Sequence, residues 1–249
     1  MPISDLLFVA GTVFAASIVR ALFGFATALI VVPLFALRFG VATASPTFAI
    51  VSVFLSVAML SRKKVRIDRK SMAGLLTSAL AGMVPGILIL RSLPNRTLSL
   101  GLAGFILVSV GLMLLQRRVT GRRQESTAPL SPWWAIPYGL VSGAIMGAYV
   151  AGGPPIALYG TRKGWAPEEF RDNLQVFFLV ASPLLIIQYA ILGAIDREIL
   201  IMAAVAVPPA LAAVYIGRKI APRIPQERFF GIVLLLLVAI AVSLVVRAV

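Results

Sequence analysis

The chain has 249 residues, 60% of them hydrophobic and 13% charged, with a mean hydropathy of +0.99 and a formal net charge of +14. Soluble domains carry roughly a quarter charged residues, so the composition excludes a soluble globular protein, and no nucleic-acid partner is inferred from the positive charge. The chain has no Cys and no His, which removes disulfides, thiol chemistry, haem and the usual zinc ligands; no cofactor and no metal are expected.

Met1-Pro2-Ile3-Ser4-Asp5 lacks a basic n-region, and the apolar run behind it outlasts a signal peptide, so the first element is read as a membrane segment. Apolar stretches follow at Leu6–Val19, Phe23–Leu37, Phe48–Leu60, Ser71–Leu90 and Leu98–Leu115, against the roughly 20 residues that a spanning helix needs. The first two are separated by "RALFGFAT" (Arg20–Thr27), and Pro33 is a second weak point. The basic clusters Arg62–Lys70 and Arg117–Arg123 read as topology signals in loops. A polar linker, 118–130, then leads to a second series of stretches: Trp133–Ala151, Val176–Leu192, Leu200–Ile216 and Phe229–Val246. Within it, Gly152-Gly153-Pro154-Pro155 cannot continue a regular helix, because glycine costs about 1 kcal/mol relative to alanine and an internal proline lacks an N–H and clashes with the preceding turn.

Four sequence anchors recur in one order. "RFGVA" (Arg38–Ala42) parallels "RKGWA" (Arg162–Ala166), Gly24 parallels Gly147, "VRIDRKSM" (Val65–Met72) parallels "GAIDREIL" (Gly193–Leu200), and Gly86 to Pro94 parallels Gly217 to Pro225. They divide the chain into an N-terminal repeat, 1–117, the linker, 118–130, and a C-terminal repeat, 131–249. If each repeat had four spans, Lys and Arg would sort 12 to 10 between the two faces. If each begins with a broken helical hairpin that returns to its own face and continues as three spans, they sort 17 to 5, with Arg20 inside the membrane. The positive-inside rule favours the second arrangement: an all-α polytopic membrane protein of two inverted repeats, 8–10 membrane segments, with the linker cytoplasmic and both termini outside.

Irregular backbone is tolerated at membrane depth only where it is buried in protein or lines a cavity, and broken helices at matching places in inverted halves point to a substrate site near the midplane. The residues expected at that site are Arg20, Phe23, Gly24, Phe25, Ala26 and Thr27 from the first hairpin and Gly147, Tyr149, Gly152, Gly153 and Pro154 from the second, with Asn173 and Gln175 lining a pathway after it. The hairpin tips are expected to approach each other. Ordinary kinked helices are the bland alternative. A charge in an apolar segment costs at least about 2.5–3.5 kcal/mol and marks function by default; unless Arg20 snorkels to an interface, its guanidinium fork suits a small anion.

"RALFGFATALIVVPL" (Arg20–Leu34) and "GAIMGAYVAGGPPIALY" (Gly143–Tyr159), each opening a half, with "IDR" before a later helix, resemble the sulfite exporter TauE/SafE family, also called toluene sulfonate uptake permeases. The resemblance covers nearly the whole chain and implies a secondary transporter for sulfite, sulfoacetate or other sulfonates in a bacterial cytoplasmic membrane. The chain departs from the family pattern in having Phe25-Ala26-Thr27 where Gly-rich runs are common, and in having no cysteine, which favours an organic sulfonate or carboxylate. An anion channel and a drug/metabolite-type transporter are the alternatives. An intramembrane enzyme would need acid–base or nucleophilic groups, and no Asp or Glu lies in an expected span. Direction of flux, coupling ion and oligomeric state are not encoded in these patterns.

Overall fold

The computed structural model describes residues 1–23, 26–61, 65–120, 130–220 and 226–248. Among them the chain forms ten α-helices and no strand: α1 (Ile3–Phe23), α2 (Thr27–Phe39), α3 (Val41–Leu60), α4 (Arg69–Ser92), α5 (Asn95–Thr120), α6 (Ala135–Tyr149), α7 (Gly153–Lys163), α8 (Pro167–Ile191), α9 (Arg197–Ile220) and α10 (Gln226–Ala248). Seven of these are long and apolar enough to cross a membrane. The other three, α2, α6 and α7, have 13, 15 and 11 residues, short of a bilayer at 1.5 Å per residue. The protein is therefore an all-α, polytopic membrane protein. Helix α3 starts at Val41 instead of Phe48, because Pro46 falls in its second turn and forfeits only one helical hydrogen bond.

Local chemistry sets the boundaries. Both copies of "IDR" begin a helix: Asp68 accepts from Ser71 N–H (3.2 Å) and Asp196 from Ile199 N–H (2.8 Å), each capping orphan donors. Pro154 and Pro155 lie in the first turn of α7, where a missing N–H breaks no bond. Helix α6 closes on Val150 in the left-handed region (φ 54°).

Helix α3 is the centre of the molecule: 61% of its span is buried, against 33–44% for the other six. It packs on α8, α1 packs on α9, α4 on α6, and α5 on α10. Exchanging α1–α5 with α6–α10 in order maps this set of pairs onto itself. The loop after α3 meets the start of α8, where Arg66 N–H donates to Asp172 and Asp68 N–H to Asn173, both at 3.0 Å. At the other end, one cavity is lined by Ala42 and Thr43 of α3, Asn95 of α5, and Gly193 and Asp196 around the end of α8. Helices α3 and α8 are thus antiparallel. Arg218 at the end of α9 donates to the Ala58 and Met59 carbonyls, and Lys163 to the Leu130 carbonyl beside the linker, which defines a linker face. The opposite face holds Asn95, the Arg38–Asp5 ion pair and Arg247, bonded to the Leu37 carbonyl.

Helices α4 and α6 run parallel and almost touch. Gly139, Gly143 and Gly147 lie on the carbonyls of Leu75, Ala79 and Met83, while Gly82 and Gly86 lie on those of Leu140 and Ala144. Four-residue glycine spacing lets membrane helices approach closely. A methyl group on Gly143 would overlap the Ala79 carbonyl, which belongs to a backbone that cannot rotate away, whereas one on Gly111 meets nothing within 4 Å. Gly143→Ala should therefore destabilise the protein by at least about 1–3 kcal/mol, and Gly111→Ala should be neutral or stabilising by up to about 1 kcal/mol. Thermal unfolding of the two variants in the same detergent checks this; equal melting points would contradict the packing argument.

Candidate functional site

Arg20 lies in the last turn of α1 and is 2% exposed. Its Nε and Nη2 both donate to Gln175 Oε1, at 3.2 and 2.7 Å, and Nη2 also donates to Ser56 Oγ at 2.8 Å. The Ser56 hydroxyl spends its own proton on the Ser52 carbonyl (2.8 Å), which turns its lone pairs toward the guanidinium. Phe178, one turn after Gln175, carries the cation 5.2 Å from its ring centroid, a favourable cation–π distance. The side chain is held between α3 and α8 and does not snorkel. Among the described residues the ion pairs are Asp5–Arg38 and Arg66–Glu168; no carboxylate pairs with Arg20, and Nη1 is in none of its bonds. The cluster presents a fixed positive charge with donors to spare.

Thr27 opens α2 and its hydroxyl donates back to the Ala16 carbonyl of α1 (3.4 Å), closing the first hairpin over buried Ala26. Phe23 is the last residue of α1; Gly24 and Phe25 lie outside the described residues.

The second hairpin is pinned by hydroxyl groups. Tyr189 O–H donates to the Gly147 carbonyl (2.7 Å), Ser45 to the Ala148 carbonyl (2.8 Å), and Ser142 to the Gly152 carbonyl (2.7 Å). Tyr149 O–H reaches sideways to the Leu98 carbonyl of α5 (3.2 Å). Glycine is required at 152 by close approach, since a Cβ there would lie 2.6 Å from Ser142 Oγ and 2.9 Å from the Ser142 carbonyl. Gly153 and Pro154, both buried, start α7 directly behind it.

The two hairpins are fastened at different levels of the α3–α8 pair. On α3, the first tip is bonded at Ser56 and the second at Ser45; on α8, the first is bonded at Gln175 and the second at Tyr189. At 1.5 Å per residue these attachments are about 16 Å apart along α3 and about 21 Å along α8. Gly24 and Phe25 of the first tip lie outside the described residues, so the expected approach of the tips is not decided by these attachments. Gln175 is bonded to Arg20. Asn173 lies apart from that cluster: its Oδ1 accepts from Asp68 N–H in a clasp on the linker face, while its buried Nδ2 has no partner among the described residues. There Asp68 also accepts from Trp165 Nε1 (3.1 Å) and Ser71 Oγ (2.6 Å), and Tyr159 O–H donates to Ser71 Oγ (2.9 Å). Partial burial raises the Asp68 pKa, but the Ser71 and Trp165 hydrogen bonds and nearby Lys163 outweigh it and hold the carboxyl below its ordinary range. Ser56, Phe178 and Tyr189 make these contacts and were not placed by the sequence reading; for Tyr189 the heptad spacing Gln175, Ser182, Tyr189 on α8 was a signal.

The model of the family described as sulfite exporter TauE/SafE matches residues 9–244. A protein from Cupriavidus necator described as a probable sulfite/organosulfonate exporter TauE is 27% identical over 213 residues, covering 84% of this chain and 80% of the relative. No solved structure matches the chain.

Because Gln175 Oε1 takes two of the guanidinium's bonds, Gln175→Leu should leave a buried cation short of acceptors. Hydrogen bonds to charged groups are worth about 1.5–3 kcal/mol each net, so a loss of about 3–6 kcal/mol is expected, read as a lowered melting point and a lower yield of monodisperse protein. An unchanged melting point would mean that Gln175 does not hold Arg20.

Proposed function

The chain belongs to the sulfite exporter TauE/SafE family, and we propose that it is a secondary transporter that carries sulfite or a small organosulfonate across the bacterial cytoplasmic membrane by alternating access, with Arg20 receiving the anionic head. The observation that carries this reading is the Arg20 cluster: a buried guanidinium held by the neutral acceptors Gln175 and Ser56 with no carboxylate among the described residues. A buried cation without a counter-charge costs several kcal/mol. A sulfonate or sulfite supplies that charge, and its pyramidal oxygens accept forked N–H···O bonds. As the family is one of exporters, the enzyme reading falls away.

The two five-helix sets are inverted repeats in this reading. The self-exchanging helix pairs and the antiparallel α3 and α8 support it, since a two-fold axis lying in the membrane would produce both. The linker face is cytoplasmic and both termini are outside, following the 17-to-5 sorting of Lys and Arg.

Two measurements test the proposal. In a chain without native cysteine, Glu168→Cys and Glu198→Cys should be labelled by an impermeant maleimide from opposite sides of the membrane; labelling from one side would break the topology. For the site, Arg20→Ala should weaken sulfite or sulfoacetate binding by about 10- to 100-fold, the equivalent of one charge-assisted hydrogen bond. Arg20→Lys, which keeps the charge and loses the fork, should weaken it less. Binding unaffected by Arg20→Ala would remove Arg20 from the site.

A further inference from the structure

Three buried hydroxyls take no part in any of the bonds above. Ser17, Ser52 and Ser182 are 0%, 1% and 0% exposed, and their Oγ atoms have no hydrogen-bond partner among the described residues. A serine inside a helix ordinarily returns its hydroxyl to the carbonyl one turn back, and Thr47, Ser56, Ser78, Ser109, Thr161 and Ser243 do so here. The three orphans decline the bond nearest to hand. Each unpaired hydroxyl in an apolar interior is destabilising, so the fold gains nothing from them.

Their positions follow one plan. Ser17 precedes Arg20 by one turn of α1, Ser52 precedes Ser56 by one turn of α3, and Ser182 follows Gln175 by two turns of α8. Separations of three, four and seven residues keep each serine on the same helix face as its neighbour at the Arg20 cluster. The start of α1, the start of α3 and the end of α8 all lie at the Asn95 face. All three serines are therefore displaced from Arg20 in one direction, by about 4 to 10 Å at 1.5 Å per residue. They stop short of Ser45 and Tyr189, which hold the second hairpin tip.

We propose that Ser17, Ser52 and Ser182 form a second station for the transported anion, a cluster of uncharged O–H donors between the Arg20 cluster and the second hairpin tip. This rests on the reading of Arg20 as the headgroup site. A pyramidal oxyanion offers several acceptor oxygens, which match donors coming from three helices. Because the station carries no fixed charge, it holds the anion more weakly than Arg20 does and passes it on, as conduction between successive sites requires.

The test separates binding from movement. In proteoliposomes, the Ser52→Ala, Ser182→Ala double variant should melt no lower than the parent, bind methanesulfonate at Arg20 with little change, and exchange sulfite about 100-fold more slowly or worse, from the loss of two hydrogen bonds to a charged group. Ser52→Cys and Ser182→Cys, each in the cysteine-free chain, should react about tenfold faster with a sulfonate-bearing methanethiosulfonate than with its trimethylammonium counterpart, and methanesulfonate should slow the reaction. Parental exchange by the double variant, or equal rates with the two reagents, overturns the station. Those results leave the Arg20 reading standing as long as Arg20→Ala still weakens methanesulfonate binding about 10- to 100-fold. Loss of that dependence overturns both.

Discussion

A helix broken at membrane depth frees carbonyl groups that hydrocarbon cannot solvate, at several kcal/mol each, and the layout of this molecule follows from where those groups are satisfied. The Gly147, Ala148 and Gly152 carbonyls are taken by Tyr189, Ser45 and Ser142. Two of these donors belong to α3 and α8, so satisfying the second hairpin's backbone also fastens it to the central helix pair near the Asn95 face. The first hairpin is fastened to the same two helices at Ser56 and Gln175 through Arg20. Between the two levels, along α3 and α8, Ser52 and Ser182 are buried and unpaired among the described residues.

The chain treats two arginines of neighbouring helices in opposite ways. Arg38 is paired with Asp5 and packed on the Phe8 and Phe39 rings, with centroids at 4.9 and 5.9 Å, so its charge is spent on closing the α1–α2 hairpin. Arg20 receives only amide and hydroxyl oxygens. A carboxylate at Gln175 would make Arg20 cheaper to bury, but it would compete with any incoming anion for the same donors. Neutral acceptors orient the guanidinium without cancelling its charge.

Much of this was legible in the sequence, and the limits have physical reasons. Span identity follows from hydropathy alone, since a bilayer demands apolar length whatever the tertiary contacts. The Gly-Gly-Pro-Pro break and both Asp N-caps follow from local backbone chemistry. Arg20 stood out because a charge inside an apolar run has few reasons to exist. The levels of the tips did not follow, because they depend on which distant hydroxyl reaches which carbonyl, such as Ser45 on Ala148, 103 positions away. The place of Asn173 did not follow for the same reason: its amide oxygen is used by Asp68 N–H, 105 positions away. The α4–α6 contact was visible in the spacing of Gly82 and Gly86 and of Gly139, Gly143 and Gly147, but spacing does not say which helices pair.

That contact also bears on how the molecule can move. Helix α6 belongs to the second half of the chain, yet its glycines are pressed on the backbone of α4 from the first; α1, from the first half, packs in turn on α9 from the second. Each hairpin is built into the opposite half. A motion that parted the halves along the sequence division would have to peel α6 from α4, where contacts are backbone to backbone and no side chain can flex to absorb a shift. Packed interfaces of this kind slide little and move as units. A rearrangement that spares them carries α6 with α4 and α1 with α9, so Arg20, at the end of α1, travels with α9. Its bonds to Ser56 and Gln175 are three side-chain hydrogen bonds, which side-chain rotation can break without parting any backbone contact.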